Sequence, residues 1–244
     1  MWLLILLIVL YILSTTSIDT AIITGGDMHK GINIDNYKDN ELIYLNKNTP
    51  ANRTMKSWFP NGPDKNKLKM VKESIFSVTH YGDADRLTDD IYTEMPNATI
   101  TDATANVGGN TISFAKKFKK VNSIEINPLT FRALKNNIKV YGLGNVSLYN
   151  DSYVKISNDI KQDVLFMDPP WGGLYYKSQA TMMLFLDNIP IYEILNNIEN
   201  KPKMIVLKVP NNFDIELFKQ NMTYYKNTII KQYPRYKIIM IKNN

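Results

Sequence analysis

The chain has 244 residues, a formal net charge of +6, no cysteine and two histidines. The length fits one domain of Rossmann size with an N-terminal extension, and the charge favours a polyanionic partner, although an AT-rich genome would also enrich Lys and Asn. The absence of cysteine excludes disulfides, Cys-ligated metal and thiol nucleophiles, and two histidines are too few for a His-rich site, so we predict no metal.

The N-terminus begins with an uninterrupted apolar run at residues 2–13, followed by the polar residues 14–17. A run of about 10–14 apolar residues is short for a membrane span and is typical of a signal-peptide core or a short anchor. No basic stretch precedes it, which speaks against a secretory signal. We treat residues 1–17 as a hydrophobic segment, with membrane association and burial against the protein as open alternatives.

The next segment, residues 18–67, is rich in Asn, Asp, Lys, Gly and Pro and has no sustained apolar period, which predicts a linker or loosely structured arm. From residue 68 to residue 244 the sequence alternates β-like and helix-like stretches. This alternation predicts one α/β domain with a mostly parallel sheet.

The elements of this domain follow one another in a βαβ rhythm. We predict five strands, at residues 98–103, 121–126, 146–149, 163–167 and 204–209. We predict helices at residues 110–118, 129–141, 179–198 (bent at Pro190) and 214–220. Two further β-rich runs, 228–232 and 236–241, have only a short turn between them and predict an antiparallel hairpin. A mostly parallel seven-stranded sheet that ends in a hairpin is typical of the class I methyltransferase variant of the Rossmann-like fold.

A glycine-rich turn follows the first of these strands. Glycines allow close approach of the backbone to a ligand, and the N–H groups of the helix start can receive a carboxylate. The turn matches neither a Walker A loop nor a full dinucleotide fingerprint, and a purely structural tight turn is the alternative. The candidate cofactor-binding residues here are Asp102, Thr104, Asn106, Gly108, Gly109 and Asn110.

Two acids follow the next two strands. Glu125 ends the second strand at about the 20-residue offset that ribose-binding carboxylates have in dinucleotide-binding folds. Asp151 follows the third strand and is placed to contact an adenine amine. A solvated strand-end charge for Glu125 and a helix N-cap for Asp151 are the structural alternatives.

The most specific string is Asp-Pro-Pro-Trp-Gly-Gly at residues 168–173, directly after an apolar strand. Ligands of open α/β sheets bind at the carboxyl ends of strands, and two prolines make this turn rigid. Asp168 and the Pro169 carbonyl can accept hydrogen bonds from an exocyclic amine, while Trp171 stacks on the base for about 1–3 kcal/mol, or more on a cationic 7-methylguanine. A proline-rich turn with a core tryptophan is the alternative.

From about residue 68 onward, the sequence resembles the trimethylguanosine synthases, the RNA cap guanine-N2 methyltransferases. Val-Gly-Gly-Asn-Thr-Ile at residues 107–112 and Pro-Pro-Trp-Gly-Gly at residues 169–173 carry this resemblance, together with Phe-Ser-Val-Thr at 76–79 and Pro-Asn-Asn at 210–212. It implies that Asp102, Gly108, Gly109, Glu125 and Asp151 hold S-adenosyl-L-methionine. It further implies that Trp171, Ser77, Thr79 and Asn211 bind the substrate.

The sequence departs from the family pattern at three places. Ile75 stands where the family usually has Trp, Asp168 replaces a Ser common in animal members, and Thr-Ala-Asn at residues 104–106 replaces a Phe-Cys-Gly-like string. These differences bear on the substrate more than on the fold.

The expected function is therefore intracellular methylation of the N2 amine of the 7-methylguanosine cap of RNA. An adenine-N6 methyltransferase is the first alternative, because Asp before Pro-Pro-Trp also occurs in those enzymes. A non-catalytic methyltransferase-like module, anchored by residues 2–13, is the second. Trp58 and Phe59 are either a second stacking wall or a hydrophobic plug.

Overall fold

The structure is a computed structural model that describes residues 41–224 and 226–243. The hydrophobic run at residues 2–13 and the first part of the predicted arm lie outside the described residues. Within the described ranges, no helix combines the length and the hydropathy that a membrane span needs.

Residues 41–94 precede the central sheet and form ordered elements. These are β1 (Leu42–Tyr44), α1 (Pro50–Ser57), β2 (Lys69–Val71) and α2 (Tyr81–Glu94), with β1 and β2 paired antiparallel. Trp58 and Phe59 are buried in a cluster that includes Leu134. The prediction of a hydrophobic plug is thus confirmed. Residues 41–67 form more regular structure than the sequence indicated. Their buried side chains are spaced irregularly along the chain, so no helical or strand period reveals them.

The central sheet has seven strands. The elements that build it are β3 (Thr99–Asp102), α3 (Gly109–Lys117), β4 (Lys120–Ile124), α4 (Pro128–Val140), β5 (Val146–Tyr149), α5 (Tyr153–Ile156), β6 (Val164–Met167), the small hairpin β7 (Phe185–Leu186) and β8 (Ile189–Pro190), α6 (Ile191–Asn197), β9 (Met204–Pro210), α7 (Ile215–Asn221), β10 (Thr228–Gln232) and β11 (Tyr236–Lys242). Their order across the sheet is β10-β11-β9-β6-β3-β4-β5. The five strands from β9 to β5 are parallel, and β11 pairs antiparallel with both β9 and β10. The predicted sheet and its terminal hairpin are confirmed.

The local sequence explains the main elements. β6 lies in the centre of the sheet and is buried on both faces, which is why it is a continuous apolar run. Leu165 and Met167 pack in one hydrophobic layer, while Val164 and Phe166 pack in the layer on the other side. Helix α4 begins after Asn127, whose side chain accepts hydrogen bonds from two N–H groups of the first turn.

The predicted helix over residues 179–198 is wrong in its first half. Residues Asp187 and Asn188 both have positive φ and join β7 to β8 in a tight hairpin, so only Ile191–Asn197 is helical. Two successive residues with positive φ are what a type I′ hairpin turn requires. Helix α2 was not anticipated, because its many charged residues obscure the buried stripe that contains Leu87 and Ile91.

Candidate active site

The four predicted acids lie at one edge of the sheet. Asp102 is the last residue of β3, Glu125 follows β4, Asp151 lies just after β5, and Asp168 follows β6. Since these four strands are parallel neighbours, their carboxyl ends face the same side of the domain. The fold therefore brings together side chains that are separated by up to 66 residues in the chain (168 minus 102).

Asp102 is completely buried. Its Oδ2 accepts a hydrogen bond of 2.7 Å from the Thr111 hydroxyl, whereas its Oδ1 finds no hydrogen-bond partner among the described residues. Burial raises the pKa of Asp102 to about 7; the Thr111 hydroxyl and the nearby Thr104 backbone N–H oppose the rise, and Asp168 and Glu125 add to it. A buried carboxylate oxygen without a partner is uncommon in proteins and indicates a place where a ligand donates a hydrogen bond or a positive charge.

Glu125 ties two turns together. One carboxylate oxygen accepts from the backbone N–H of Asn106 at 2.9 Å, and the other accepts from that of Asn127 at 2.8 Å. Burial raises its pKa, although both hydrogen bonds oppose the rise. Because a carboxylate has about four acceptor positions, Glu125 can still receive ribose hydroxyls. It is half-buried and hydrogen-bonded, so the alternative of a solvated charge is wrong.

Backbone conformation and close packing explain why the glycine-rich turn contains two successive glycines. Gly108 has a φ of 101°, in the left-handed region that favours glycine. A Cβ on Gly109 would lie 2.8 Å from the carbonyl oxygen of Thr79, so only glycine lets residues 78–79 approach the start of α3. Contact of these glycines with the donor stays a prediction.

Asn106 organises the same turn from a left-handed conformation with a φ of 51°. Its side-chain amide donates to Ser77 Oγ at 2.8 Å, and its oxygen accepts from the Ser74 hydroxyl and the Val107 N–H. These contacts fix residues 74–77 beside the turn and leave Ser77 exposed, while its contact with a substrate stays a prediction. The Asn106 side chain is therefore occupied by the protein.

Asp168 forms the central ion pair of the site. Its Oδ2 lies 2.7 Å from Nζ of Lys208, and its backbone N–H donates to Thr104 Oγ1 at 2.9 Å. The side chain is 13% exposed. Burial raises the pKa of Asp168, and the Lys208 ammonium opposes that rise. Thr104 thus joins the turn after β3 to the turn after β6.

Lys208 is a site residue that our reading of the sequence missed. It also donates to Thr79 Oγ1 at 2.9 Å, and Thr79 accepts a second hydrogen bond, of 3.2 Å, from the Asn110 amide. Asn110 and Thr79 are both buried. A lysine inside the otherwise apolar run Met204–Pro210 was the available signal, because charged residues are rarely buried unless paired.

Trp171 is half-buried beside this ion pair. Its ring packs edge-on against Tyr176 with centroids 5.3 Å apart, and its Nε1 has no hydrogen-bond partner among the described residues. Nζ of Lys208 lies 5.6 Å from the ring centroid. Trp171 is thus more accessible than a core tryptophan, while its role in stacking stays a prediction.

A pocket of about 320 Å³ adjoins Tyr176. The amide of Asn212 shapes it by donating to the carbonyls of Tyr176 and Gln179 at 2.7 and 2.8 Å. Asn211 lies in its wall, and the side-chain oxygen of Asn211 accepts from Gln232 at 2.9 Å. The lining residues are Tyr176, Lys177, Gln179, Asn211, Asn212, Pro234 and Arg235.

Asp151 is half-buried at the end of the row of acids, and its Oδ1 accepts from the Ser152 N–H at 2.8 Å. The N-cap of α5 is Ser152, so the alternative of an N-cap role for Asp151 is wrong. Across the described part of the chain, no group of three or more His, Asp and Glu side chains is arranged to hold a metal ion.

The strand order and terminal hairpin define the class I methyltransferase fold, whose cofactor is S-adenosyl-L-methionine. One solved structure with this fold is a Thermus thermophilus methyltransferase for N2 of a 16S rRNA guanosine, in complex with AdoMet and guanosine. It matches 66% of this chain and 43% of its own, with a TM-score of 0.50 and 13% identity. The sequence profile of the RNA cap guanine-N2 methyltransferases matches residues 97–244, and the chain belongs to this family.

The chain is also similar to individual proteins. An uncharacterized protein of Acanthamoeba polyphaga mimivirus is 40% identical over 136 residues, which are 54% of this chain and 53% of that protein. The trimethylguanosine synthase of Saccharomyces cerevisiae is 26% identical over 190 residues, or 74% of this chain and 59% of the yeast protein. The chain therefore spans little more than half the length of these relatives.

Proposed function

We propose that this protein transfers a methyl group from S-adenosyl-L-methionine to the exocyclic N2 amine of a 7-methylguanosine cap on RNA. The observation that carries the proposal is the buried Asp168–Lys208 pair beside the accessible Trp171, on a rigid turn at the same sheet edge as Asp102 and Glu125. It supports the proposal because a hydrogen-bond acceptor for an amine and an aromatic face then lie near carboxylates suited to the methyl donor.

The residues at the edge of β3 and β4 fit the donor chemically. The partnerless Oδ1 of Asp102 suits a cationic or N–H-donating group, and the first turn of α3 leaves backbone N–H groups for a carboxylate. Glu125 retains acceptor positions for ribose hydroxyls. When bound, S-adenosyl-L-methionine supplies a methyl group activated by a positively charged sulfur.

The residues after β6 provide for the acceptor base. Asp168, held by Lys208, and the Pro169 carbonyl accept hydrogen bonds from the amine and so orient its lone pair. Trp171 stacks on the base, and alignment supplies most of the rate enhancement. The amine nitrogen gains the methyl group and then loses a proton to solvent, so no strong base is needed.

The pocket beside Tyr176 supports a phosphate-bearing substrate. Two basic side chains, Lys177 and Arg235, line it. Arg and Lys are the side chains that bind phosphate oxygens with charge-assisted hydrogen bonds. Because Tyr176 contacts the Trp171 ring, a base on Trp171 would place its phosphates within reach of this pocket.

Mass spectrometry of nucleosides tests the proposal. The full chain and labelled donor are incubated with 7-methylguanosine-capped RNA, the same RNA with an unmethylated cap, and an uncapped oligonucleotide containing adenine. We expect label on N2 of the capped guanine, with loss of about 100-fold or more in Asp168→Ala and none in Asp159→Ala, a carboxylate on the exposed surface.

Other results of this assay would favour one of the two alternative functions. An Asp168 carboxylate can accept hydrogen bonds from an adenine N6 amine as well, so label on adenine would replace the guanine proposal with the adenine-N6 activity. Binding of the donor without transfer to any of the three RNAs would favour a non-catalytic module.

A further inference from the structure

The ammonium group of Lys208 is buried where the sheet meets the candidate site. Only 7% of the residue is exposed, and its neighbours along β9 are apolar. Removing an ammonium from water is costly, and hydrogen bonds to Asp168 and Thr79 offset only part of that cost. A hydrocarbon side chain at this position would stabilise the core more than a buried ammonium does. We therefore look for a functional reason for the charge.

The sheet register fixes the position of this charge. Met167 of β6 lies opposite Leu207 of β9, so the next residues of the two strands, Asp168 and Lys208, emerge side by side. The Lys208 ammonium also lies 5.6 Å from the Trp171 ring and 5.1 Å from the Tyr236 ring. It therefore lies beside two of the three residues that the proposed function assigns to the acceptor base, Asp168 and Trp171.

We propose that Lys208 is the positioning residue of the transfer site, which keeps the Asp168 carboxylate ionised and fixed beside the Trp171 ring. This inference rests on the proposed function for its catalytic consequence. Lys208 itself does not touch the reacting atoms in this scheme. It acts through Asp168, whose carboxylate offers its full set of acceptor positions to the amine only while neither oxygen carries a proton.

The groups around Asp168 explain why it needs this cation. Lys208 is the positive charge that faces it, while Asp102 on β3 is an acid and Tyr236 on β11 presents a neutral phenol. Burial and the neighbouring Asp102 both disfavour a negative charge on Asp168 at this edge of the sheet. Without Lys208, burial would favour the protonated form of Asp168, in which one oxygen becomes an O–H donor and fewer acceptor positions remain for the N–H groups of an amine.

Two substitutions at this position test the inference. Lys208→Met removes the charge at similar length, and Lys208→Arg keeps it. We expect Lys208→Met to lower kcat/KM for capped RNA by about 100-fold at pH 7, with partial recovery as the pH rises and Asp168 loses its proton. Lys208→Arg should retain the wild-type pH profile. Lys242→Met is the control, because Lys242 lies opposite Met204, at the end of β9 remote from Lys208, and forms an ion pair of 2.6 Å with Glu94.

A carboxyl titration makes the test independent of turnover. In protein with ¹³C-labelled aspartate, the Asp168 carboxyl carbon should titrate at higher pH in Lys208→Met than in the wild type. An unchanged titration would overturn the inference even if the wild type methylates RNA. Conversely, a shifted titration in a protein that methylates none of the RNAs would support the role of Lys208 and count only against the proposed function.

A double variant separates positioning from general destabilisation. Asp168→Asn with Lys208→Met removes both charges, so it leaves no buried ion uncompensated if Lys208→Met alone fails to fold. We expect the double variant to have the same residual activity as Asp168→Asn. A further loss of 10-fold or more in the double variant would show that Lys208 acts independently of Asp168 and would contradict the inference.

Discussion

Asn137 of α4 and Lys69 of β2 form a two-point hydrogen-bonded pair that joins the N-terminal segment to the central domain. The Asn137 amide donates to the Lys69 carbonyl and its oxygen accepts from the Lys69 N–H, both at 2.8 Å. The same amide also donates to the Val107 carbonyl at 2.9 Å, in the glycine-rich turn. One buried side chain thus holds together β2, α4 and the turn at the candidate donor site.

Replacing Asn137 with Ala should destabilise the protein strongly. The substitution leaves three backbone groups without partners, and each buried orphan costs about 1–3 kcal/mol. We expect the free energy of unfolding, measured with urea, to fall by about 3 kcal/mol or more. Asn136→Ala is the control, because that neighbour is only half-buried and contacts the segment through one bond to the Lys67 carbonyl. Equal effects of the two substitutions would contradict this account.

The buried carboxyl of Asp102 should make stability depend on pH in an unusual direction. Its folded pKa of about 7 lies above the ordinary value of 3.8. The contribution of Asp102 is therefore most favourable below pH 4 and is lost as the pH rises through 7. We expect Asp102→Asn to be more stable than the wild type by up to about 4 kcal/mol at pH 8, with the gain absent near pH 4.

The comparison is made by urea unfolding of both proteins across this range without the donor. Saturating S-adenosyl-L-methionine should reduce the wild-type deficit at pH 8, because we propose that the donor supplies the missing partner of Oδ1. A difference between the two proteins that is constant from pH 4 to 8 would show that the Asp102 carboxyl is ionised throughout.

Asp163 provides the opposite pH dependence in the same sheet. Its carboxylate accepts from the Thr99 N–H at 2.8 Å and pairs with Lys203 at 2.9 Å, and these contacts hold its pKa below the ordinary value. Its contribution is present above pH 4 and is lost as the pH falls through the folded pKa. Asp163→Asn should therefore cost about 1–2 kcal/mol at pH 7 and less at pH 3. Thermal unfolding at both pH values checks this, and an equal cost at the two would contradict it.

The strands of the parallel sheet were predictable because strands buried on both faces are short apolar runs between polar turns. The failed helix prediction has a clear cause. Leu184, Ile191 and Leu195 have spacings that resemble a helical stripe, but the chain reverses at two residues with positive φ, which periodicity does not reveal. Helix α2 forms largely through its packing on α3, and that is tertiary information.

The candidate site was predictable to the extent that each residue follows its own strand. The acids Asp102, Glu125 and Asp168 are recognisable because polar residues at strand ends stand out against apolar runs. Lys208 was not assigned, since its partner depends on which strands are neighbours. The adjacency of β6 and β9 is fixed by the sheet order rather than by any local string.

Trp171 should contribute mainly to binding of the base. If stacking supplies about 1–3 kcal/mol, Trp171→Ala should raise KM for capped RNA by roughly 5- to 150-fold. Trp171→Phe keeps an aromatic face and should lose less. Because stacking stabilises the ground state and the transition state alike, we expect little change in kcat. Steady-state kinetics with the capped RNA measures both constants.

The matched control for this prediction is Trp58→Phe. Trp58 is buried in the N-terminal plug, so its substitution should lower the free energy of unfolding and leave KM unchanged. A second comparison concerns the charge of the base. The Lys208 ammonium already lies 5.6 Å from the centroid of the Trp171 ring, so it weakens the attraction of the ring for a cationic base. The loss of affinity in Trp171→Ala, measured as a change in Kd without turnover, should therefore be similar for capped RNA with and without the 7-methyl group. A loss confined to the 7-methylated cap would show instead that the ring selects the cationic base despite Lys208.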